Sequence, residues 1–130
     1  MNIKLHHIGI IVDDIEKSVQ IFKIFGFEKE KTIVEDYNQN NCLQMLKDKS
    51  DNKIELIKPM NEKSTVANSN IGIHHLAFTT DNEEEFLKLL KDNKLGKVFT
   101  SNIKAPLFNN KEVFFGLLKN DLIFEIVKDD

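Results

Sequence analysis

Apolar and polar residues follow a pattern that occurs twice along the chain. In the first half, the apolar run Ile3–Val12 predicts a strand, and the residues after it, to about Phe25, have apolar positions at helical spacing. Asp13 followed by Glu16 matches a capping box and predicts the helix start, while Gly26 predicts its end. Three more strands are predicted near Phe27–Val34, Cys42–Lys47 and Lys53–Lys58.

The same order of elements returns after a polar connector at residues 59–70. Gly72–Thr80 predicts a strand, Asp81 with Glu84 predicts a second helix start, and the apolar spacing continues to about Asn93. Strands are then predicted near Lys97–Ser101, Glu112–Lys119 and Leu122–Lys128. The pattern therefore predicts an α+β fold in which one domain, residues 1–130, contains two similar modules, about 3–58 and 71–128.

Residues that can bind metal ions recur at equivalent places in the two halves. His6-His7 and His74-His75 lie in the first strands, and Glu55 and Glu125 lie in the last strands. Two modules related by a rough twofold axis bring equivalent positions together, so each half offers one His and one Glu to a shared site. Strand alternation points one imidazole of each pair inward, but it does not say which one.

The two glutamates lie within apolar runs, which favours a role beyond solvation. Glu55 is flanked by Ile54 and Leu56, and Glu125 by Phe124 and Ile126. A buried carboxylate without a partner is costly, and a shared cation would stabilise both. Imidazole and carboxylate ligands without Cys favour Co, Ni, Mn or Fe with positions left open, or Zn, over a closed structural zinc site.

Composition narrows the class of partner. The formal net charge is −3, and all 18 residues in the Lys+Arg count are Lys, so nucleic-acid binding is not expected. Without Arg, an anionic substrate has to be held by Lys, amides, hydroxyls, backbone N–H groups or a metal. The single Cys42 and the absence of a long apolar run predict a cytoplasmic protein with no disulfide and no membrane segment.

With these motifs in place, nearly the whole chain resembles the vicinal-oxygen-chelate superfamily (glyoxalase, bleomycin resistance and extradiol dioxygenase proteins), and within it proteins like methylmalonyl-CoA epimerase. The resemblance rests on Leu5–Ile10, Ile54–Pro59, Gly72–Phe78 and Leu122–Ile126, and on the connector stretch Met60–Ala67. It implies paired βαβββ modules that form a cupped mixed sheet around one divalent metal ion. The ligands that it implies are His7, Glu55, His75 and Glu125.

The resemblance also implies a reaction and roles for three residues. A metal-dependent isomerase or epimerase would act through an enolate on an acyl thioester, such as methylmalonyl-CoA or a related compound. Glu125 is the expected base and Glu55 the second choice. Gln44 aligns with a Glu that serves as base in similar epimerases, but an amide cannot do so at neutral pH. Gln44 is therefore expected to orient a substrate oxygen or to satisfy local hydrogen bonds.

Other functions of the superfamily remain open at this point. A glyoxalase I-type lactoyl-thiol lyase would use the same four ligands, and a non-catalytic binding or resistance module would sequester a small molecule. Members of the superfamily that are similar to this chain often form homodimers, so a homodimer with a small-molecule substrate is expected.

Overall fold

The structure is a computed structural model that describes residues 1–100 and 102–128. These ranges contain ten strands, two α-helices and one short 3₁₀ helix at Pro106–Phe108. The strands are β1 (Ile3–Ile11), β2 (Glu28–Lys29), β3 (Val34–Asp36), β4 (Asn41–Lys47), β5 (Lys53–Pro59), β6 (Gly72–Thr80), β7 (Gly96–Val98), β8 (Ile103–Ala105), β9 (Lys111–Leu118) and β10 (Ile123–Lys128). The helices are α1 (Ile15–Lys23) and α2 (Glu83–Asp92). This mixed sheet with two helices is the α+β arrangement that the sequence predicts.

The chain divides into two compact units. Unit 2 is the continuous segment His7–His74, and unit 1 combines Met1–His6 with the later part of the chain from His75 onward. The division falls between the two histidines of each adjacent pair.

In unit 2, the sheet is built around β5. β1 pairs with β5 in parallel, with Ile8 opposite Ile54, and β4 pairs with β5 antiparallel. The short strands β2 and β3 both pair antiparallel with β4. α1 packs on one face of this sheet through a buried core of Val12, Ile15, Val19, Leu46 and Leu56.

Unit 1 repeats this arrangement around β10. β6 pairs with β10 in parallel, with Leu76 opposite Phe124, and β9 pairs with β10 antiparallel. β7 and β8 both pair antiparallel with β9. α2 packs on one face, where the buried core consists of Leu90, Phe114, Phe124 and Ile126.

Both helix starts differ by one residue from the prediction. The N-cap of α1 is Asp14, whose Oδ1 accepts a hydrogen bond from the Lys17 N–H at 2.9 Å. The N-cap of α2 is Asn82, which accepts from the Glu85 N–H at 3.0 Å. The prediction of Asp13 and Asp81 was therefore wrong, because an equally good capping side chain follows each of them.

The second strand of each predicted module is broken into two pieces. Phe27–Val34 was predicted as one strand, but only Glu28–Lys29 and Val34–Asp36 pair with β4. In unit 1, residues 96–98 and 103–105 pair with β9, and the end of the predicted strand at Ser101 lies outside the described residues. Neither helix in the described ranges has the length and apolar character that a membrane span requires.

Candidate metal centre

In unit 2, His7 and Glu55 face the side of the sheet that α1 does not cover. Gly9 is opposite Glu55 in the β1–β5 register, so His7, two residues before Gly9, lies on the same face as Glu55. The imidazole Nε2 lies 3.8 Å from Glu55 Oε1. Both residues are buried, at 1% and 5% exposure. The β1–β5 pairing thus produces a buried histidine–carboxylate pair.

In unit 1, the equivalent pair is His75 and Glu125. Ala77 is opposite Glu125 in the β6–β10 register, so His75 lies on the Glu125 face. His75 Nε2 and Glu125 Oε1 are 3.2 Å apart, and both residues are 3% exposed. The Phe115 ring, which is opposite Glu125 on β9, meets the imidazole edge-on with 5.5 Å between ring centroids. This packing fixes the plane of the imidazole.

The other histidine of each adjacent pair turns to the opposite face of its strand. His6 and His74 are only half-buried, and the His6 ring packs edge-on against Phe108 at 5.3 Å. The histidines that lie close to a glutamate are thus His7 and His75, the two that the resemblance to the superfamily implies as ligands.

The arrangement of donor atoms fits a divalent cation. In each unit, a histidine nitrogen and a glutamate oxygen, both buried, lie close enough to bind the same ion. Two donors that share one ion at about 2.1 Å each, at angles of about 90–110°, lie about 3.0–3.4 Å apart. The 3.2 Å pair of unit 1 falls within this range, and the 3.8 Å pair of unit 2 is slightly wider.

Gln44 does not lie with these pairs. It is opposite Leu56 on β5, and Leu56 belongs to the core under α1, so Gln44 faces α1 rather than Glu55. Its Nε2 donates to the carbonyls of Lys31 at 2.6 Å and Met45 at 3.1 Å. The structure therefore places Gln44 in a local hydrogen-bonding role. Cys42 lies on the same face as Gln44 and is half-buried.

Sequence reasoning did not place the side chains that flank the glutamates, although Phe115 was a candidate for the wall of the site. Met45 is opposite Glu55, and Phe115 is opposite Glu125, so each carboxylate has a large apolar neighbour on its own face. Both neighbours are buried, Met45 at 1% and Phe115 at 8% exposure. Only the cross-strand register identifies them. Each lies in a continuous run of apolar residues, and such a run does not show which side chains point to which face of the sheet.

A family model agrees with the class of protein that this fold and site define. The model of the Glyoxalase/Bleomycin resistance protein/Dioxygenase superfamily matches residues 6–115. The chain belongs to this superfamily. No curated protein matches the sequence.

Several solved structures share the fold. One is hypothetical protein BH1468 from Bacillus halodurans C-125, with a TM-score of 0.79 and 23% identity, covering 100% of this chain and 96% of that chain. Methylmalonyl-CoA epimerase from Mycobacterium tuberculosis has a TM-score of 0.79 and 18% identity, covering 97% and 87%. A variant of Streptomyces coelicolor methylmalonyl-CoA epimerase, in complex with 2-nitronate-propionyl-CoA, has a TM-score of 0.74 and 20% identity, covering 97% and 96%.

Proposed function

We propose that this protein is a metal-dependent isomerase or epimerase that moves a proton on a carbon next to a carbonyl group. The observation that carries the proposal is the pair of buried histidine–carboxylate contacts, His7 with Glu55 and His75 with Glu125, at equivalent places in the two units. Buried carboxylates are costly unless they are paired or bind a cation. The burial of Glu55 and Glu125 next to histidines therefore favours a role in metal binding and catalysis over a role only in stabilising the fold.

These four side chains would hold one divalent ion, with Co, Ni, Mn, Fe or Zn as candidates. Two nitrogen and two oxygen donors suit this group of metals, and four protein ligands leave positions open for a substrate. When bound, such an ion acts as a Lewis acid that polarises a carbonyl oxygen and makes the neighbouring proton more acidic.

Glu125 is the proposed base, with Glu55 as the second choice. Strand alternation puts Val127, Phe115 and Val113 on the same face as Glu125, and none of these side chains can accept a proton. Among these residues and Glu125, the carboxylate is therefore the group that can take up a proton. Gln44 is not included as a proton carrier, because its side chain faces α1.

The substrate that we propose is an acyl thioester such as methylmalonyl-CoA or a related compound. The support is the similarity in fold to methylmalonyl-CoA epimerases, one of which was solved in complex with methylmalonyl-CoA. The chain contains no Arg, so any anionic part of the substrate would be held by Lys side chains, amides or the metal.

Solvent deuterium exchange tests the proposal directly. Metal content and deuterium incorporation into methylmalonyl-CoA would be measured for the wild type, for Glu125→Gln and for the surface control Glu84→Gln. We expect about one metal per chain, exchange in the wild type and in the control, and loss of exchange in Glu125→Gln. A metal-loaded wild type that exchanges no proton of methylmalonyl-CoA or related thioesters would refute the epimerase reaction.

A glyoxalase I-type lactoyl-thiol lyase is the second candidate, and one observation favours it. On β4, the residues on the Glu55 face are Asn41, Leu43, Met45 and Lys47, so this strand adds no carboxylate to that face. The glyoxalase I-type reaction fits this face of β4, because it can use a glutamate of the metal site as its base and needs no further carboxylate. Turnover of methylglyoxal with a cellular thiol, in the absence of exchange on acyl thioesters, would favour this second function.

A further inference from the structure

The connector between β5 and β6, residues 60–71, folds back onto unit 2 through a series of turns. The Ser64 N–H donates to the Asn61 carbonyl, the Ala67 N–H to the Ser64 carbonyl, and the Ser69 N–H to the Val66 carbonyl. Ser64 and Val66 are buried at 9% and 3% exposure, whereas residues 61–63 and 68–71 are exposed. The middle of the connector therefore packs inward.

Asn41, the first residue of β4, holds this buried part in place. The Ser64 hydroxyl donates to Asn41 Oδ1 at 2.5 Å, and Asn41 Nδ2 donates to Thr65 Oγ1 at 3.2 Å. The Val66 N–H in turn donates to Ser64 Oγ at 3.0 Å. Asn41 is itself only 3% exposed, so these hydrogen bonds are shielded from water.

The backbone of the β3–β4 turn provides two further attachments. The Thr65 N–H donates to the Gln39 carbonyl at 3.0 Å, and the Met60 N–H donates to the Asn40 carbonyl at 2.9 Å. Asn40 has a φ of 57°, in the left-handed region that Asn tolerates. The connector is thus tied to one turn by both side-chain and backbone hydrogen bonds.

The face to which the connector is tied is the one that carries Glu55. Asn41 is opposite Pro59 and Met45 is opposite Glu55, so Asn41, Met45 and Glu55 share a face. Met45 lies four residue steps along the strand from Asn41, which is about 13 Å at 3.3 Å per step. Leu43 and Ile57 lie between them and are buried, although α1 covers the other face.

We propose that the connector is a strap that controls access to the Glu55 face of unit 2, and that Asn41 is its positioning residue. When the hydrogen bonds that join Asn41 to Ser64 and Thr65 are intact, the strap closes the Asn41 end of the apolar track formed by Leu43 and Ile57. When they break, molecules reach Met45 and Glu55 from that end. The proposal does not depend on a metal or on the proposed reaction.

Met45 is a built-in probe of this access, because methionine is oxidised to its sulfoxide only where an oxidant reaches it. The metal-free full chain would be treated with hydrogen peroxide or the bulkier tert-butyl hydroperoxide, and Met45 and Met1 sulfoxides would be followed by mass spectrometry. Ser64→Ala removes the hydrogen bond to Asn41 Oδ1 and the acceptor of the Val66 N–H, so it should accelerate Met45 oxidation by at least roughly fivefold through a shifted opening equilibrium. The increase should be larger for the bulkier oxidant, and Met1 should not change.

Two control variants separate opening of the strap from other effects. Ser69→Ala changes an exposed serine of the same connector and should leave Met45 oxidation at the wild-type rate. Val19→Ala weakens the α1 core on the opposite face and reports oxidation through global unfolding. The proposal is overturned if Val19→Ala and Ser64→Ala have the same free energy of unfolding and also the same rate of Met45 oxidation. It is also overturned if hydrogen exchange at the Val66 amide rises in Ser64→Ala without faster Met45 oxidation.

Discussion

On β1 and on β6, the two adjacent histidines have different surroundings: one lies buried beside a glutamate, and the other points to the opposite face of the sheet. His75 lies 3.2 Å from a glutamate oxygen and is almost fully buried, whereas His74 points to the other face and is half-buried. Because successive side chains of a strand point to opposite faces, the roles of the two cannot be exchanged without shifting the register.

This division leads to a prediction for metal binding. If the proposed site binds the ion, His75→Ala should lower the metal content of the purified protein from about one ion per chain to near zero, because it removes one of the proposed ligands. His74→Ala should keep the metal. Metal would be measured by inductively coupled plasma mass spectrometry on protein purified without a tag. Equal loss in both variants would mean that neither imidazole binds the ion directly.

Gln44 allows a second test at the residue scale. Gln44→Leu removes the donor that bonds the Lys31 carbonyl at 2.6 Å, so we expect a loss of about 1–3 kcal/mol in the free energy of unfolding. The metal content should stay unchanged, because the side chain faces α1. Urea unfolding gives the first quantity and metal analysis the second. A stable Gln44→Leu protein that loses its metal would contradict this placement.

Gln44 also shows where residue-scale prediction from the sequence ends. The positions Cys42–Leu46 are mostly buried on both faces of β4, so the hydrophobic pattern does not say which residues face Glu55. The register with β5 puts Leu43 and Met45 there instead. By contrast, the repeat predicted Glu55, Glu125 and one histidine of each adjacent pair as candidate ligands, and the resemblance to the superfamily selected His7 and His75.

At the scale of elements, two capping side chains compete at each helix start. Asp14 accepts the Lys17 N–H, whereas Asp13 makes no capping bond among those described. In unit 1, Asn82 caps α2, and Asp81 instead accepts a hydrogen bond from the Asn2 N–H at 2.8 Å. The Asp-x-x-Glu spacing was therefore a correct sign of a helix start and an incorrect sign of the cap.

The cap of α1 can be tested by a matched pair of substitutions. Asp14→Ala should lower the free energy of unfolding by about 1 kcal/mol, because one N–H of the first turn loses its acceptor. Asp13→Ala should cost clearly less. Urea denaturation of both variants under the same conditions decides between them, and a larger cost for Asp13→Ala would return the cap to that residue.

The broken second strands are a feature that local sequence could not reveal. β2 and β3 contact the same partner, β4, and are separated by residues 30–33, which belong to neither strand although the Glu30 N–H still donates to the Met45 carbonyl. β7 and β8 contact β9 in the same way. Pairing with a long central strand is a tertiary effect, so strand propensity predicts the region but not the interruption.

Gly116 on β9 marks a close approach within unit 1. A Cβ added there would lie 2.3 Å from Phe124 Cζ and 2.6 Å from the Lys97 carbonyl oxygen. Gly116→Ala should therefore destabilise the protein by about 1–3 kcal/mol through overpacking. Thermal unfolding measures the loss. Adding Phe124→Leu should recover part of the stability lost through Gly116→Ala, and full additivity of the two losses would argue against the clash.

At the scale of the whole molecule, the internal repeat predicted the number of modules and the order of their elements. The predicted modules span about 3–58 and 71–128, while the compact units are His7–His74 and a unit that combines residues 1–6 with residues from His75 onward. Sequence similarity follows the repeat of elements, whereas compactness depends on which strands pair, and pairing joins residues that are distant in sequence.

Metal binding should also be visible in overall stability. A ligand that binds only the folded state stabilises it by about 2.7 kcal/mol at a hundredfold excess over Kd. We expect Ni or Co to raise the Tm of the wild type by several degrees and a chelator to reverse the shift. The Tm of His75→Ala should not respond. A similar response in that variant would locate the ion elsewhere on the protein.

Unit 1 consists of two segments that are far apart in the sequence, and this has a consequence for folding during synthesis. Its first six residues leave the ribosome before any of unit 2, but the rest of unit 1 begins only at His75. Domains generally fold as units during synthesis, in the order in which they emerge. Unit 2 can therefore fold as soon as its continuous segment is exposed, while residues 1–6 wait for partners that are translated after it. The nascent chain thus exposes Ile3 and Leu5, which remain partly exposed in the folded protein, without their partners while unit 2 is translated.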